Sequence, residues 1–427
     1  MTEHFKPTSG LPSLADELLV DAEDIIAVPA VPAPLGWIGR ILLGLSLVLI
    51  AANLRPVFSS ASALLPEIRA ELGLSALGAS LLTTLPVVCL GLFSPLAPRL
   101  AARIGSERTL LGVMLLLALG TSLRGLSNIP LLFIGTALAG GCIAVGNVLL
   151  PGLVKRDFAD RAALMTELYT MALCAGAAGA AGFTLPLEAA FGGSLNAALA
   201  VWALPALVVG LLWLPQTLGA RGNIKRASVR VEGLWRDKLA WQVTLFMGLQ
   251  SALAYCVFGW LAPILRERGL DGVTAGGVVS VSVMVQAAAC IVVPQIAVRG
   301  RDQKVINVVL AAFATSALLG LLFAPLSTVW VWAVLQGVGQ GGLIALAMTA
   351  IVLRSRDAHV AAHLSGMAQF VGYLLAAIGP LIVGLIRSFT GSFGWSAVLF
   401  VALGAGAAIN GWGAGRALQV DARTVQK

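Results

Sequence analysis

The sequence predicts an all-α membrane protein in which twelve transmembrane helices form two parallel six-helix repeats. Three observations lead to this prediction: the composition, the number of long apolar runs, and short motifs that recur in the two halves. Of the 427 residues, 58% are hydrophobic and only 11% are charged, and the mean hydropathy is +0.92. Soluble domains contain roughly a quarter charged residues, so this composition excludes an ordinary soluble protein.

The predicted helices are continuous apolar runs. A helix needs about 20 consecutive apolar residues to cross the hydrocarbon core of a bilayer. Because the runs do not alternate between apolar and polar residues, they are typical of helices and not of membrane β-strands. The runs are residues 38–65, 76–97, 108–126, 130–154, 163–187, 194–217, 239–265, 274–298, 303–325, 327–353, 361–387 and 393–414.

Polar segments divide the chain into two bundles. Residues 1–36 are acidic and rich in proline, which predicts a disordered cytoplasmic tail. Bundles at 37–217 and 238–415 are then joined by a polar, basic linker at 218–237. Residues 416–427 are predicted to form a second cytoplasmic tail.

Basic residues fix the predicted orientation. The net charge of +8 is spread over short connectors rather than gathered in one patch, so it does not indicate nucleic-acid binding. Lys and Arg follow mainly the even-numbered runs, which by the positive-inside rule places both termini in the cytoplasm. We expect a multi-pass protein of the cell's inner membrane, surrounded by lipid. Four connector arginines are predicted to belong to cytoplasmic gating loops: Arg103, Arg108, Arg156 and Arg299.

The two halves share motifs at one spacing. Three matches recur roughly 200 residues apart, each at the same place in a six-run unit. They are Pro66-x-x-Arg69 with Pro263-x-x-Arg266, Arg103-x4-Arg108 with Arg299-x4-Lys304, and Arg156-Asp157 with Arg356-Asp357. Parallel six-helix repeats are typical of secondary transporters, whose substrate site lies between the halves near the bilayer midplane.

Arg55 is the one deeply placed charge in the predicted spans, with residues 41–52 before it and further apolar residues after it. An arginine at such depth costs at least a few kcal/mol and marks a functional site by default. Pro56 interrupts the helix there, and broken backbone is tolerated only against protein or a water-filled cavity. We interpret Arg55 as a cationic anchor for an anionic or strongly polar solute. The alternative interpretation is an arginine that ties helix one to a neighbour.

Other polar and aromatic residues inside the runs are candidates for the lining of such a cavity. Each alone is more often an interhelical hydrogen bond, whereas together they favour a binding site. The predicted substrate-binding residues, besides Arg55, are Asn53, Asn147, Tyr255, Trp260, Gln340, Gln369 and Tyr373.

Motifs for enzymatic chemistry are missing from the sequence. No phosphate-binding loop, HExxH or GxSxG motif occurs, and the five cysteines lie inside apolar runs without CxxC spacing. We therefore expect no catalytic residues, no metal and no cofactor. Any active transport must draw on an ion gradient or on the gradient of the substrate itself.

Several segments resemble the major facilitator superfamily, and more narrowly its cyanate and nitroimidazole permease branch. The connector 100–108 (LAARIGSER) resembles the superfamily's loop between helices two and three, with Ala102 at the position of its usual Asp. The narrower resemblance is carried by residues 53–56 (NLRP), 81–88 (LLTTLPVV), 151–156 (PGLVKR), 202–206 (WALPA) and the stretch from Gln369 to Gly391.

The resemblance implies a monomeric permease that works by alternating access. Helices one, four, seven and ten line the cavity in this superfamily, and here they supply Arg55, Asn147, Tyr255 and Gln340. The implied substrate is a small solute such as a cyanate-like anion or a nitroimidazole-like compound. Any coupled proton would travel with a weak-acid substrate, because no deep carboxylate is present to carry it. The alternatives are a drug or metabolite efflux antiporter on the same fold and, from another class, a sensor that binds without transporting.

Overall fold

The computed structural model describes residues 37–158, 161–218, 229–297, 299–356 and 358–426. Within these residues, twelve helical segments are long and apolar enough to cross a membrane, as the sequence predicts. The predicted tail at 1–36 and residues 219–228 of the predicted linker lie outside the described residues.

The helices follow the predicted runs closely. In the first half, span one consists of α1 (Trp37–Asn53) and α2 (Pro56–Ala63), and the short α3 (Leu65–Leu72) follows it. Span two is α4 (Ala76–Phe93), α5 (Leu96–Ile104) is a connector, and span three is α6 (Ser106–Leu123). Spans four and five are α7 (Ile129–Asp157) and α8 (Ala162–Ala190), and span six consists of α9 (Leu195–Ala200) and α10 (Ala203–Leu218).

The second half begins with β1 (Val229–Glu232) and a 3₁₀ turn (Leu234–Arg236). Spans seven and eight are α11 (Lys238–Glu267) and α12 (Gly272–Ala297). Span nine is α13 (Lys304–Phe323), and a 3₁₀ turn (Leu326–Thr328) leads to span ten, α14 (Val329–Leu353). Spans eleven and twelve are α15 (Ala358–Thr390) and α16 (Ser396–Ala414), and β2 (Arg423–Gln426) ends the described chain.

Span one is broken at the position that its proline predicts. The first helix ends at Asn53, and the second begins at Pro56. A proline has no N–H to donate to the preceding turn, and its ring disfavours helical geometry at the residue before it. Arg55 accordingly has φ −116° and ψ −23°, outside the ideal helix. The break therefore lies at the deep arginine.

The two bundles repeat one packing scheme. In the first bundle, span one packs on span five, span two on span four, and span three on spans four and six. The second bundle has the same neighbours six spans later: seven with eleven, eight with ten, and nine with ten and twelve. The internal repeat that the motifs predict is thus present in the packing of the helices.

The bundles meet along two equivalent pairs of spans, two with eleven and five with eight, and along span seven with the second helix of span one. Glycines allow the helices of the two bundles to approach each other closely at these contacts. A Cβ atom at Gly384 would overlap the Ser80 hydroxyl, and one at Gly276 would overlap the Ala181 carbonyl oxygen. Small residues generally permit such close packing of membrane helices.

The ends of the bundle differ in charge. Because consecutive spans run in opposite directions, the connectors after the even-numbered spans share one end, which we call the basic end. The connectors after the odd-numbered spans form the opposite end. At the opposite end, Arg266 joins the bundles through a bidentate ion pair with Glu67, at Nη1–Oε2 2.9 Å and Nη2–Oε1 2.6 Å.

A two-stranded antiparallel sheet lies at the basic end and is absent from the sequence prediction. Strand β1, in the predicted linker, pairs with β2, in the predicted C-terminal tail, with Val229 opposite Gln426 and Glu232 opposite Arg423. The main-chain N–H of Val420 also donates to the Arg354 carbonyl at 2.8 Å. The segment after span twelve is therefore attached to the second bundle along much of its length.

Candidate functional site at the bundle interface

Arg55 lies between the bundles, at the break in span one. Arg55 is half-buried and therefore partly accessible, although it lies inside the first of the twelve spans. Its Nη1 atom donates to the Tyr255 hydroxyl of span seven at 3.4 Å. Its Cζ atom is 5.8 Å from the ring centre of Tyr255 and 5.5 Å from that of Phe258, within the range of cation–π attraction.

Four aromatic rings form a cluster beside this guanidinium: Phe58, Tyr255, Phe258 and Tyr373. Tyr255 is the centre of the cluster, with ring-centre distances of 5.5 Å to Phe58, 6.1 Å to Phe258 and 6.2 Å to Tyr373. Spans one, seven and eleven each contribute to it. We call these four residues the aromatic cluster.

The charge of Arg55 is not balanced by a carboxylate in the described part of the chain. Its described polar contact is to a neutral tyrosine hydroxyl. Arg266, by contrast, pairs with Glu67, and Arg387 pairs with Glu267 at 2.6 Å. The described residues also contain no group of three His, Cys, Asp or Glu side chains that would hold a metal ion. A half-buried cation inside a membrane protein without a counter-charge favours binding of an anion.

The two predicted asparagines differ in their hydrogen bonding. The Nδ2 of Asn53 donates to the Leu49 carbonyl of its own helix at 2.9 Å. Asn147, in span four, is half-buried, and its Nδ2 has no hydrogen-bond partner among the described residues. Leaving a buried amide N–H unpaired costs about 1–3 kcal/mol. A ligand or a water molecule that accepts a hydrogen bond from Asn147 Nδ2 would remove this cost.

Most other predicted site residues have hydrogen-bond partners within the second bundle. Gln340 is buried, and its Nε2 donates at 3.0 Å to the carbonyl and the side-chain oxygen of Gln250. Gln369 Nε2 donates to the Ser365 hydroxyl at 3.0 Å.

The indole N–H of Trp260 is also satisfied, because it donates to the Pro380 carbonyl at 2.8 Å. Its ring centre lies 5.6 Å from that of Phe393. The structure thus brings Arg55, Tyr255 and Tyr373 together, whereas Trp260 packs on span eleven and on the residues that precede span twelve.

The sequence prediction does not include Phe58 and Phe258. A signal for both was present, since Phe58 lies three residues after Arg55 and Phe258 three residues after Tyr255. Residues three apart on a helix lie on the same face. The packing of the bundles decides which faces of spans one and seven meet, and neither segment alone predicts that packing.

The predicted gating arginines differ in their surroundings. Arg156 forms ion pairs with Glu107 and Asp157, both at 2.7 Å. Arg103, Arg108 and Arg299 are exposed at the basic end. Glu107 thus supplies a carboxylate in the connector where Ala102 stands at the usual Asp position.

A multi-pass membrane protein with two six-helix bundles and a polar site between them has the architecture of a secondary transporter. The family comparison agrees, because residues 41–380 match the model of the Major Facilitator Superfamily. The chain belongs to this superfamily. Its relatives and its fold are those of membrane transporters, not of enzymes.

Curated relatives extend over most of the chain. It is 40% identical to the "Uncharacterized transporter YycB" of Bacillus subtilis (strain 168), over 87% of this chain and 92% of that protein. It is also 40% identical to the 2-nitroimidazole transporter of Escherichia coli (strain K12), over 84% of this chain and 91% of that protein. Identity to the cyanate transport protein CynX of the same organism is 28%, over 82% and 91%. The predicted branch of the superfamily is thereby confirmed.

A solved structure shows the same fold at low sequence identity. The crystal structure of a D-xylose-proton symporter superposes with a TM-score of 0.68 at 12% identity, covering 88% of this chain and 98% of that one. This likeness establishes the twelve-helix architecture.

Proposed function

We propose that this transporter moves a small polar or anionic solute by alternating access, and that Arg55 is its anchor. The observation that carries the proposal is the half-buried Arg55 guanidinium at the bundle interface, whose described polar partner is a tyrosine hydroxyl and not a carboxylate. A cyanate-like anion would pair with this charge, and the polar nitro group of a nitroimidazole-like compound would accept hydrogen bonds from it; relatives are named for both solutes.

The geometry supports binding by exchange of partners. The bond from Arg55 to Tyr255 is long, at 3.4 Å, and its acceptor is uncharged, whereas an anionic acceptor forms shorter hydrogen bonds with a guanidinium and can form two of them at once. An anion therefore displaces the hydroxyl readily. Asn147 Nδ2, which is buried and unpartnered among the described residues, is a second donor for a polar solute that reaches span four.

Transport then requires the bundles to rock around this site. The contacts at Ser80 with Gly384 and at Ala181 with Gly276 join the two bundles in pairs of spans that the repeat relates. In the proposed cycle these contacts and the Glu67–Arg266 ion pair separate when the site opens toward the opposite end.

We also propose the setting in which the protein works. Both termini face the cytoplasm, the membrane is the inner membrane of the cell, and the working unit is a monomer. The arginines of the basic end support this orientation. A C-terminal fusion to a reporter that is active only in the cytoplasm tests it; an inactive fusion on a stable, full-length protein would contradict it.

The decisive experiment is uptake into proteoliposomes of radiolabelled cyanate and 2-nitroimidazole, with wild type and Arg55→Gln compared. We expect uptake of at least one solute by the wild type and its loss in Arg55→Gln, with Arg55→Lys partly active because it keeps the charge. Arg301→Gln is the matched control, since it removes an exposed arginine outside the site.

The outcome separates the anchor role from its alternatives. Normal uptake by Arg55→Gln would make Arg55 a structural residue and remove the argument for an anion. If only bulky amphipathic compounds were transported, and in exchange for protons, the efflux antiporter would replace the permease. Circular dichroism and size-exclusion profiles of each variant show whether the protein is folded.

A further inference from the structure

An open, solvent-accessible cavity of about 510 Å³ lies at the basic end, beside the end of span ten. It is lined by three residues at the end of span ten, Leu353, Arg354 and Arg356, and by three from the C-terminal segment, Ala417, Leu418 and Gln419. Its volume is within the range of about 300–1,000 Å³ that is typical of small-molecule sites. It is remote in sequence from Arg55, and the proposed transport site does not use it.

The walls of this cavity are held in place by hydrogen bonds. Arg354 donates from Nε to the Ala414 carbonyl at 2.9 Å and from Nη2 to the side-chain oxygen of Gln303. The N–H of Val420 donates to the Arg354 carbonyl at 2.8 Å, and the N–H of Asp421 donates to Asp237 Oδ2 at 3.0 Å. Both sides of the cavity are thereby attached to the second bundle.

The cavity is basic. Two of its six lining residues are arginines and none is acidic. Arg354 is buried, and its described hydrogen bonds use Nε and Nη2, so a ligand at this arginine would bind through Nη1. Arg356 contacts Asp421 at 3.4 Å, and both side chains are largely exposed, so this ion pair is weak and a stronger anion can replace it.

Exposed apolar side chains adjoin the arginines: Leu353 and Leu418 line the cavity, and Val352 precedes Leu353 in the chain. Val352 is 67% exposed, Leu353 40% and Leu418 51%. Span ten ends at Leu353, so these side chains lie where the hydrocarbon of a bilayer gives way to its headgroups. A free phosphate ion would contact only the arginines, whereas a phospholipid would also cover the three apolar side chains.

We propose that this cavity binds the phosphate headgroup of an anionic phospholipid, with Arg354 and Arg356 on the phosphate and the acyl chains along Val352, Leu353 and Leu418. Arginine recognises phosphate through paired, charge-assisted hydrogen bonds. Because the C-terminal segment forms one wall, a bound lipid also fastens this segment, and with it strand β2, to the end of span ten.

Native mass spectrometry of the purified full-length protein tests this proposal. The protein is titrated with phosphatidylglycerol and, separately, with phosphatidylcholine of the same acyl chains. We expect tighter binding of phosphatidylglycerol, weakened about fivefold by Arg356→Gln, which corresponds to the loss of one basic contact near a membrane surface. Arg301→Gln removes an exposed arginine outside the cavity and should leave the affinity unchanged.

A second variant predicts a change of the opposite sign. Asp421→Asn removes the carboxylate that competes for Arg356 and should tighten binding of phosphatidylglycerol. Equal binding of the two lipids, or equal affinities of Arg356→Gln and Arg301→Gln, would overturn the proposal. Displacement of the lipid by an equal concentration of inorganic phosphate would also overturn it, because the site would then belong to the free ion.

Discussion

The ion pair between Glu67 and Arg266 gives the sharpest test of how the two bundles separate. It joins α3, the short helix that follows span one, to the end of span seven through two short hydrogen bonds, of 2.6 and 2.9 Å. Arg266 also donates to the Ala63 carbonyl at 3.3 Å. Replacing Glu67 by Gln keeps the shape of the side chain and removes the charge, so it weakens a contact between bundles without creating a large cavity.

The structure sets the size of the effect. The side chains of Arg266 and Glu67 are 23% and 27% exposed, so the free energy that this ion pair contributes lies between the values for exposed and for buried pairs. Exposed ion pairs contribute about 0.2–1 kcal/mol, and hydrogen bonds to charged groups about 1.5–3 kcal/mol. A loss of about 1 kcal/mol raises the population that is open at the opposite end by about fivefold.

Labelling of a cysteine at position 80 measures this opening. Ser80 is fully buried where span two meets Gly384 of span eleven, and Ser80→Cys changes one atom. A water-soluble maleimide should label this cysteine only when the bundles separate. We expect Glu67→Gln to raise the labelling rate about fivefold in the detergent-solubilised protein. The same variants without Ser80→Cys give the background from the five native cysteines.

The chain offers a matched control for this experiment. Glu267 pairs with Arg387 at 2.6 Å, the two side chains are 34% and 33% exposed, and both residues belong to the second bundle. Glu267→Gln therefore removes a similar ion pair at the same end without loosening the interface. Equal labelling rates for Glu67→Gln and Glu267→Gln, or no change in either, would refute the reasoning.

Three further predictions address the interface, the coupling and the sheet. Gly276→Leu should wedge spans five and eight apart at the Ala181 carbonyl and abolish uptake, which the proteoliposome assay measures; uptake at the wild-type rate would show that this approach is not required. Uptake of a permanently ionised solute should carry no protons, because such a solute cannot bring a proton and no carboxylate pairs with Arg55 in the described residues to carry one. Acidification seen with an internal pH dye would contradict this. Deletion of residues 423–427 removes strand β2 and should expose β1 to proteolysis, since a single strand lacks the pairing that orders it; an unchanged digestion pattern would mean that pairing does not protect the linker.

The membrane architecture could be predicted almost entirely from the sequence. Length and continuous apolarity identify a spanning helix locally, because each segment must satisfy its own backbone hydrogen bonds in lipid. The same locality explains the break in span one. Arg55 and Pro56 predict the break without reference to any other segment, and the second helix of span one does begin at Pro56.

The lining of the candidate site could be predicted only in part. Arg55, Tyr255 and Tyr373 come together, whereas the amide of Gln340 bonds to Gln250 of the same bundle. A glutamine in an apolar run shows that a polar partner is needed inside the membrane. It does not show whether a neighbouring helix or a solute supplies that partner.

What the sequence alone determined is local: twelve apolar helices, their repeat, the family resemblance and the broken span with its deep arginine. What only the tertiary structure decided depends on how separate segments lie against each other. Phe258 beside Arg55, Glu67 on Arg266, and the pairing of β1 with β2 each join residues from distant parts of the chain. Helical periodicity fixes which residues share a face, but the choice of facing partner follows from the packing of whole bundles, which no single segment encodes.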